Sequence, residues 1–285
     1  MSEATTAAGD ADRRHWIYRH RLPVRITHWV NVLCLTILLM SGLQIFNAHP
    51  ALYWGNHSDF GDGFVEMKAA DGDDTKGITQ IAGHTFDTTG FLGVSRGANG
   101  EPEERGFPRW LTIPSDAGLA VGRRCHFFFA WLLVINGLAY LLYGALSRHF
   151  SRDLAPTQHD WRHFGRTIID HALLRFPKGE EAKHYNVLQK LAYLAVIFVL
   201  LPVLILAGLT MSPGLDAAFP LASLFGGRQT ARTLHFLAAF GLVLFVFVHV
   251  LMVILSGPWN NLRSMVSGRY DIGSSSETRE QTHAS

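Results

Sequence analysis

Two histidines inside one apolar stretch are the residues best placed to do chemistry in this chain. His235 and His249 both lie in the run 234–255, fourteen residues apart. Fourteen helical residues turn through about 1400°, roughly 40° short of four turns, and rise about 21 Å, so the two imidazoles share one helix face. An imidazole at hydrocarbon depth is costly and normally faces a partner, which makes each histidine a candidate ligand.

The elements that would position these side chains are long apolar helices. The chain has 285 residues, of which 48% are hydrophobic and only 17% charged, and the apolar residues are concentrated in blocks. Four blocks reach the length of about 20 residues that spanning a bilayer requires. They are 26–46, 125–146, 188–211 and 234–255. The sequence therefore predicts an all-α integral membrane protein, a four-helix transmembrane bundle without a soluble domain.

The distribution of charge predicts an orientation for this bundle. Residues 1–25 end in a group of arginines and lack the apolar core of a secretory signal peptide, so we expect a cytoplasmic N-terminal tail. The C-terminal tail, 257–285, which carries Arg263 and Arg269, is expected on the same side, after a four-span domain over 26–256. Segment 47–122 carries eleven Asp or Glu against five Lys or Arg. It is predicted to be a long periplasmic loop, either packed as a cap or a solvated surface loop without a partner.

Two more histidines lie at depths that match the first two. His28, near the start of the first span, falls at the depth of His249, and His126, near the start of the second, at that of His235. The third span has no ligand. Two axial imidazoles saturate a haem iron and suit electron transfer, whereas zinc or copper would want further ligands that the spans do not provide. The two cysteines form no Cys-x-x-Cys-His signal, so such haems would be bound non-covalently.

Arginines and one glycine accompany these histidines. Arg25, Arg123 and Arg232 each stand three residues before a candidate ligand, one turn outward. Haem propionates would reach the interface there and meet a guanidinium, although ordinary interfacial anchors are the alternative. Gly42, fourteen residues after His28, is predicted to lie at the depth of the other cofactor, where glycine would let a macrocycle approach the backbone.

These features resemble a known family, the four-helix di-haem cytochrome b subunits of the bacterial cytochrome b561 type. Its members are membrane subunits of respiratory nickel–iron hydrogenases, formate dehydrogenases and thiosulfate reductase-like complexes. The resemblance covers 22–270 and includes the opening Pro-Val-Arg-Ile-Thr-His-Trp at 23–29. In that family the first and second spans each give one haem ligand and the fourth gives two, fourteen residues apart.

The resemblance implies two non-covalent haem b groups with bis-histidine ligation and a bacterial inner-membrane location with both termini cytoplasmic. The four iron ligands would be His28, His126, His235 and His249. It also implies a periplasmic redox partner of molybdenum, iron–sulfur or hydrogenase type. The long acidic loop is more similar to thiosulfate reductase cytochrome b subunits than to the shorter hydrogenase and formate dehydrogenase subunits.

The start of the third span resembles the Tyr-Asn-x-x-Gln-Lys stretch beside the quinone pocket of the formate dehydrogenase subunit. Asn186, Gln189 and His184 would supply hydrogen bonds and a proton route to a quinone carbonyl. The alternative is that these polar residues at a helix end simply face water.

We therefore predict a membrane electron-transfer subunit, without catalytic residues of its own, that joins a periplasmic redox enzyme to the quinone pool. The alternative is a self-sufficient oxidoreductase acting on superoxide or ferric iron at the outer haem. That enzyme should show a basic funnel for small anions, whereas the long outer loop favours a docking surface. A third hypothesis is a non-redox transporter or scaffold with structural histidines. Nucleic acid is excluded as a partner, because no basic stripe with interleaved aromatic residues occurs.

Overall fold

The computed structural model describes residues 16–59, 61–116, 118–162, 164–172 and 187–271. The helices in these ranges are α1 (Leu22–Phe46), α2 (Leu119–Leu146), α3 (Gln158–Arg162), α4 (Phe164–Ala172), α5 (Val187–Ala195), α6 (Leu201–Thr210), α7 (Pro213–Ala218), α8 (Arg228–Leu255) and α9 (Pro258–Ser267). The strands are β1 (Trp16–Tyr18), β2 (Ala51–Leu52), β3 (Val65–Ala70), β4 (Asp73–Ile81), β5 (His84–Asp87), β6 (Gly93–Arg96), β7 (Pro102–Arg105) and β8 (Arg269–Asp271).

Among the described residues, four helical segments are long and apolar enough to cross a membrane. They are α1, α2, the segment Val187–Thr210 and α8, so the four predicted spans are confirmed as helices. Three of them begin four to six residues earlier than the apolar runs, at Leu22, Leu119 and Arg228. A hydropathy window detects only the hydrocarbon part of a helix, and these first turns carry arginines and polar residues whose heads can reach the interface.

The third span is not a uniform α-helix. A π-helical turn, Val196–Leu200, joins α5 to α6. Pro202 occupies the first turn of α6 and has no backbone N–H to donate to the preceding turn. The wider turn accommodates this missing donor, and such π-helical turns in proteins occur often at functional sites.

The prediction of an all-α fold without a soluble domain is wrong for the segment between α1 and α2. Here β2, β3, β4 and β5 form an antiparallel sheet in sequence order, and β6 pairs with β7. This segment has no apolar run of helical length; it has short pieces with β-forming residues separated by glycine turns, which favour hairpins. The sheet is a packed structure, as the cap hypothesis expected.

Glycine is needed where the hairpin of β6 and β7 packs on the larger sheet. Gly93 has φ of 79°, and a Cβ built on it would lie 2.5 Å from the carbonyl oxygen of Lys68 and 2.9 Å from the backbone nitrogen of Ile78. Only a residue without a side chain permits this backbone approach.

The chain divides into two compact units. The first contains 1–28, 139–196 and 244–285, and the second contains 29–138 and 197–243. The boundaries fall inside all four spans, so each unit contains one end of every span. In the first unit, β1 pairs with β8 and places Trp16 opposite Asp271. The predicted N- and C-terminal tails therefore contain regular structure, namely α9 and this two-stranded sheet.

In the second unit, the sheet packs on the end of α1 through an apolar cluster and a buried arginine. The cluster contains Leu43, Phe46, Leu52, Val65, Met67 and Phe107. Arg105 is only 5% exposed and donates to Gln44 Oε1 at 2.9 Å, to Thr112 Oγ1 at 3.2 Å and to the Ser115 carbonyl at 3.1 Å. Gln44 in turn donates to the Asp116 carbonyl at 3.1 Å. One guanidinium thus ties the sheet to the first span.

Replacing Arg105 should loosen this attachment. Arg105→Ala leaves buried acceptors without their donor, which we expect to cost about 3 kcal/mol of stability in this unit. Limited proteolysis of the segment between α1 and α2, in detergent, measures the effect. Arg96→Ala, at an exposed position on the neighbouring strand β6, is the matched control. Equal protease resistance of the two variants would contradict the anchoring role.

Candidate functional site

The structure brings the four candidate histidines together as two pairs. His28 and His249 form the first histidine pair, with ring centres 6.4 Å apart, and both belong to the first unit. His126 and His235 form the second histidine pair, with ring centres 6.3 Å apart, and both belong to the second unit. These are the combinations that depth along the spans predicts. Helix α8 supplies one member of each pair.

The separation within each pair suits one metal ion between two imidazoles. Metal–imidazole bonds of about 2.0–2.1 Å, plus about 1.1 Å from each bonded nitrogen to its ring centre, place opposed ring centres about 6.2–6.4 Å apart. Both pairs match this value, although nothing in the sequence requires the two distances to agree. The residues present therefore fit an iron with two axial imidazoles.

Hydrogen bonds at Nδ1 fix the orientation of the second histidine pair. The Nδ1 atom of His235 donates to the carbonyl oxygen of Leu204 at 2.7 Å. The Nδ1 atom of His126 lies 3.0 Å from Ser41 Oγ, whose own hydroxyl donates to the Ile37 carbonyl at 2.7 Å and is therefore free to accept. With the proton on Nδ1 of both rings, each Nε2 keeps its lone pair for a metal.

Two glycines lie against these same rings. A Cβ added to Gly42 would stand 3.2 Å from Cε1 of His126, and one added to Gly208 would stand 3.1 Å from Cε1 of His235. Each glycine thus lets a neighbouring span approach the Nδ1 edge of an imidazole. Gly42 was predicted at this depth for a macrocycle, and the structure places it beside the ligand ring itself.

The first histidine pair lies among aromatic rings. Phe245 stacks on His249 at 6.0 Å with an interplanar angle of 17°, and Tyr193 of α5 meets Phe245 edge-on at 6.3 Å. Phe245 stands one helical turn before His249, so its ring restricts the imidazole from within the same helix. The third span contributes a side chain here without contributing a ligand.

The three candidate propionate arginines have different surroundings. Arg25 donates to the carbonyl of Val266 in α9. Arg232 donates to the carbonyl of His49 and lies over the ring of Phe46, with 5.4 Å to its centre. Arg123 is exposed and lies over Phe127 of its own helix, 5.8 Å from the ring centre. Each guanidinium has donors beyond these contacts.

The candidate quinone residues are only partly described. Asn186 and His184 lie outside the described residues, and Gln189 is partly buried in the first turn of α5. Lys190, beside it, is buried and donates to Asp160 Oδ2 at 2.8 Å. Burial raises the pKa of Asp160, but the hydrogen bonds from Lys190 and Thr157 outweigh it and leave that pKa below its usual value.

No group of three or more His, Cys, Asp or Glu side chains gathers as a metal site in the part of the chain that the structure describes. Structural or catalytic zinc takes at least three protein ligands, and copper sites add thiolate or thioether to imidazole. Paired histidines alone are the ligand set of a haem.

The protein-family model described as prokaryotic cytochrome b561 matches residues 19–268 of this chain. The chain belongs to the prokaryotic cytochrome b561 family. It is a multi-pass membrane electron-transfer subunit of a family that binds b-type haem, as the sequence resemblance predicts.

Two relatives of this cytochrome b561 chain are named as subunits of redox enzymes. A protein of Azospira oryzae, named as a protein-methionine-sulfoxide reductase subunit, is 30% identical over 233 residues, which cover 81% of this chain and 88% of that protein. A protein of Rhodobacter capsulatus, named as a Ni/Fe-hydrogenase B-type cytochrome subunit, is 37% identical over 65 residues, which cover 20% of this chain and 25% of that protein. No solved structure matches at a significant level.

Sequence reasoning missed the supporting residues Gly208 and His49. Gly208 is a glycine inside an apolar span, which is a signal for close packing. The third span has no histidine, so the sequence alone gives no reason to place this glycine beside a candidate ligand. His49, just after α1, is half-buried, stacks on Tyr53 with ring centres 5.6 Å apart, and accepts a hydrogen bond from Arg232 through its carbonyl. Burial, then the charge of Arg232, lowers its pKa, against an opposing effect of Glu66.

Filling the space at Gly208 should disturb the second histidine pair of this cytochrome b561 chain. We expect Gly208→Val to displace His235 and to lower haem retention at that pair about tenfold or more, because the added Cβ alone would stand 3.1 Å from Cε1 of His235 and valine adds two methyl groups beyond it. Haem content per chain and the visible spectrum measure it. Gly137→Val is the control, since nothing lies within 4 Å of an added Cβ there. Full haem content in Gly208→Val would contradict this role.

Proposed function

We propose that this cytochrome b561 chain holds two b-type haems, one between the members of each histidine pair, and carries electrons between a redox enzyme and the quinone pool. The observation that carries the proposal is the distance between ring centres, which is 6.4 Å in the first pair and 6.3 Å in the second. Both distances have the value expected for two imidazoles bound to one metal ion. Coincidental histidines on three different helices have no reason to meet twice at this distance.

A haem held by two axial imidazoles supplies one-electron transfer and offers no open coordination position to a substrate. The protein residues hold and orient it. Leu204 and Ser41 accept the Nδ1 protons of the second pair, and Phe245 restricts His249 of the first. Arg25, Arg123 and Arg232 are proposed to bind the propionates with their remaining donors.

The proposed partner is a periplasmic redox enzyme of molybdenum, iron–sulfur or hydrogenase type. Two relatives named as subunits of a methionine sulfoxide reductase and a hydrogenase support a partner of this general class. The ordered sheet between α1 and α2 offers such an enzyme a folded surface, which is more than a connection between two spans needs.

The proposed location is the bacterial inner membrane, with both termini in the cytoplasm. Pairing of β1 with β8 supports the common side of the termini, because two strands can form a ladder only in one compartment. Four spans, an even number, satisfy the same condition. The group of arginines before α1 supports the cytoplasmic assignment.

Single histidine substitutions test the haem arrangement. His28→Ala and His249→Ala should each remove the same one of two haems, and His126→Ala and His235→Ala should remove the other, because one remaining imidazole no longer gives a six-coordinate iron. Pyridine haemochrome quantification and redox titration of each variant measure this. His57→Ala, exposed in the segment before β3, should retain both haems. One haem in the wild type, or loss of one spectral component by both His28→Ala and His126→Ala, would refute the scheme.

The proposed quinone site lies near the start of the third span, with Asn186, Gln189 and His184 as hydrogen-bonding groups. Gln189→Leu should slow electron exchange between haem and a short-chain quinol about tenfold, because one hydrogen bond to the quinone oxygen is lost. The haem spectrum should not change, since Gln189 is not an iron ligand. Stopped-flow spectroscopy measures the rate, and Gln229→Leu, in the second unit, is the control. A wild-type rate in Gln189→Leu would move the site elsewhere.

A further inference from the structure

The turn that follows α2 has an unusual backbone that places one histidine against the helix it has just left. Arg148 adopts φ of 55°, a left-handed conformation rare for a residue with a side chain. The π-helical turn Phe150–Leu154 follows directly. Both features are uncommon, and a π-helical turn in particular is frequent at functional sites. Together they reverse the chain so that His149 returns to the end of the second span.

His149 sits between aromatic rings and a carboxylate. Its ring centre lies 6.2 Å from those of Tyr140 and Tyr143 on α2. Its Nδ1 atom lies 2.7 Å from Asp153 Oδ2. The histidine side chain is only 13% exposed, whereas that of Asp153 is 44% exposed. The neutral imidazole therefore carries its proton on Nδ1, donates it to Asp153, and keeps a lone pair on Nε2.

His149 and Asp153 belong to the same compact unit as the first histidine pair. His20, just before α1, interacts electrostatically with His149 and with His28 of that pair. Burial and then the charge of Arg19 lower the pKa of His20 to about 4, with smaller effects from His28 and His149. His20 is therefore within electrostatic reach both of a candidate iron ligand and of His149.

Resting on the proposed function, we infer that His149 and Asp153 form the proton acceptor of the quinol site, with the rings of Tyr140 and Tyr143 beside it. A quinol is a flat apolar ring with an acidic O–H, and it needs an apolar surface together with one base. The end of the second span offers both. A carboxylate on the far nitrogen orients the imidazole and stabilises its protonated form, as in other His–Asp pairs.

One quinol becomes one quinone by losing two electrons and two protons. A haem held by the first histidine pair would accept the electrons one at a time, passing the first to the second haem and the redox partner before accepting the second. Nε2 of His149 accepts the first O–H proton, which gives an imidazolium whose Nδ1–H stays bonded to Asp153. That proton leaves Nε2 for water before the second O–H proton is transferred to the same atom. Quinone reduction is the same sequence in reverse.

Among the described residues, few charged or titratable groups lie near His149. Asp153 is its ion partner and also lies 3.8 Å from Nε of the exposed Arg152. Tyr140 and Tyr143 present phenols, and His20 interacts with His149 electrostatically. Helix α5 packs against the π-helical turn, but the charge of its Lys190 is paired with Asp160 at 2.8 Å. Asp153 is therefore the carboxylate that faces the imidazole.

Stopped-flow reduction of the haems by decylubiquinol tests the inference. His149→Gln should slow reduction by about tenfold or more, because general-base assistance is lost. Asp153→Asn should slow reduction as well, because an amide does not stabilise the imidazolium.

Binding separates a proton-transfer role from a structural one. His149→Gln can still hydrogen-bond, so its affinity for 2-heptyl-4-hydroxyquinoline N-oxide, measured by tryptophan fluorescence, should stay within about threefold of the wild type, with an unchanged haem spectrum. His159→Gln, exposed on α3, should match the wild type in both assays.

Two results would overturn the inference alone. One is a wild-type rate of haem reduction in His149→Gln, and the other is loss of inhibitor binding together with the rate, which would mark a structural role. A wild-type protein whose haems decylubiquinol does not reduce would instead overturn the quinone function and this inference together.

Discussion

The packing of the spans around the second histidine pair depends on the need to give each imidazole N–H at membrane depth a hydrogen-bond acceptor. In hydrocarbon no water can satisfy a ring N–H, so a neighbouring helix must do so. Ser41 and the Leu204 carbonyl meet this need at Nδ1 of His126 and His235, and each Nε2 keeps its lone pair. Neighbouring helices therefore supply the acceptors that orient these two rings.

This requirement explains why a span without a ligand is still essential. The third span provides the Leu204 carbonyl, the small surface of Gly208 and the Tyr193 ring. A backbone carbonyl inside a regular helix is already bonded to the N–H four residues later, so its second lone pair is what serves His235. The π-helical turn between α5 and α6 precedes this carbonyl in the same span.

Sequence alone predicts the parts of the site that rest on side-chain identity and helical period. The four spans, the two histidine combinations and the depth of Gly42 follow from spacing on straight helices. Gly208 and the Leu204 carbonyl do not, because the rotation of the third span about its axis has no polar side chain to mark it. The sheet was missed for another reason: a segment rich in glycine and acidic residues resembles a solvated loop until strand pairing is known. His149 depends on a left-handed residue and a π-helical turn, neither of which has a sequence signature.

The pairing of β1 with β8 has a consequence for how this chain is made. The N-terminal strand leaves the ribosome first, yet its partner is synthesised only after the last span, some 250 residues later. At a synthesis rate of about 5–20 residues per second, Trp16 to Tyr18 must wait on the order of ten seconds or more without a partner. The ladder can close only when the fourth span has entered the bilayer in the correct direction. Its closure therefore marks the completion of membrane insertion, and a chain with one span inverted or omitted would leave both strands as open edges.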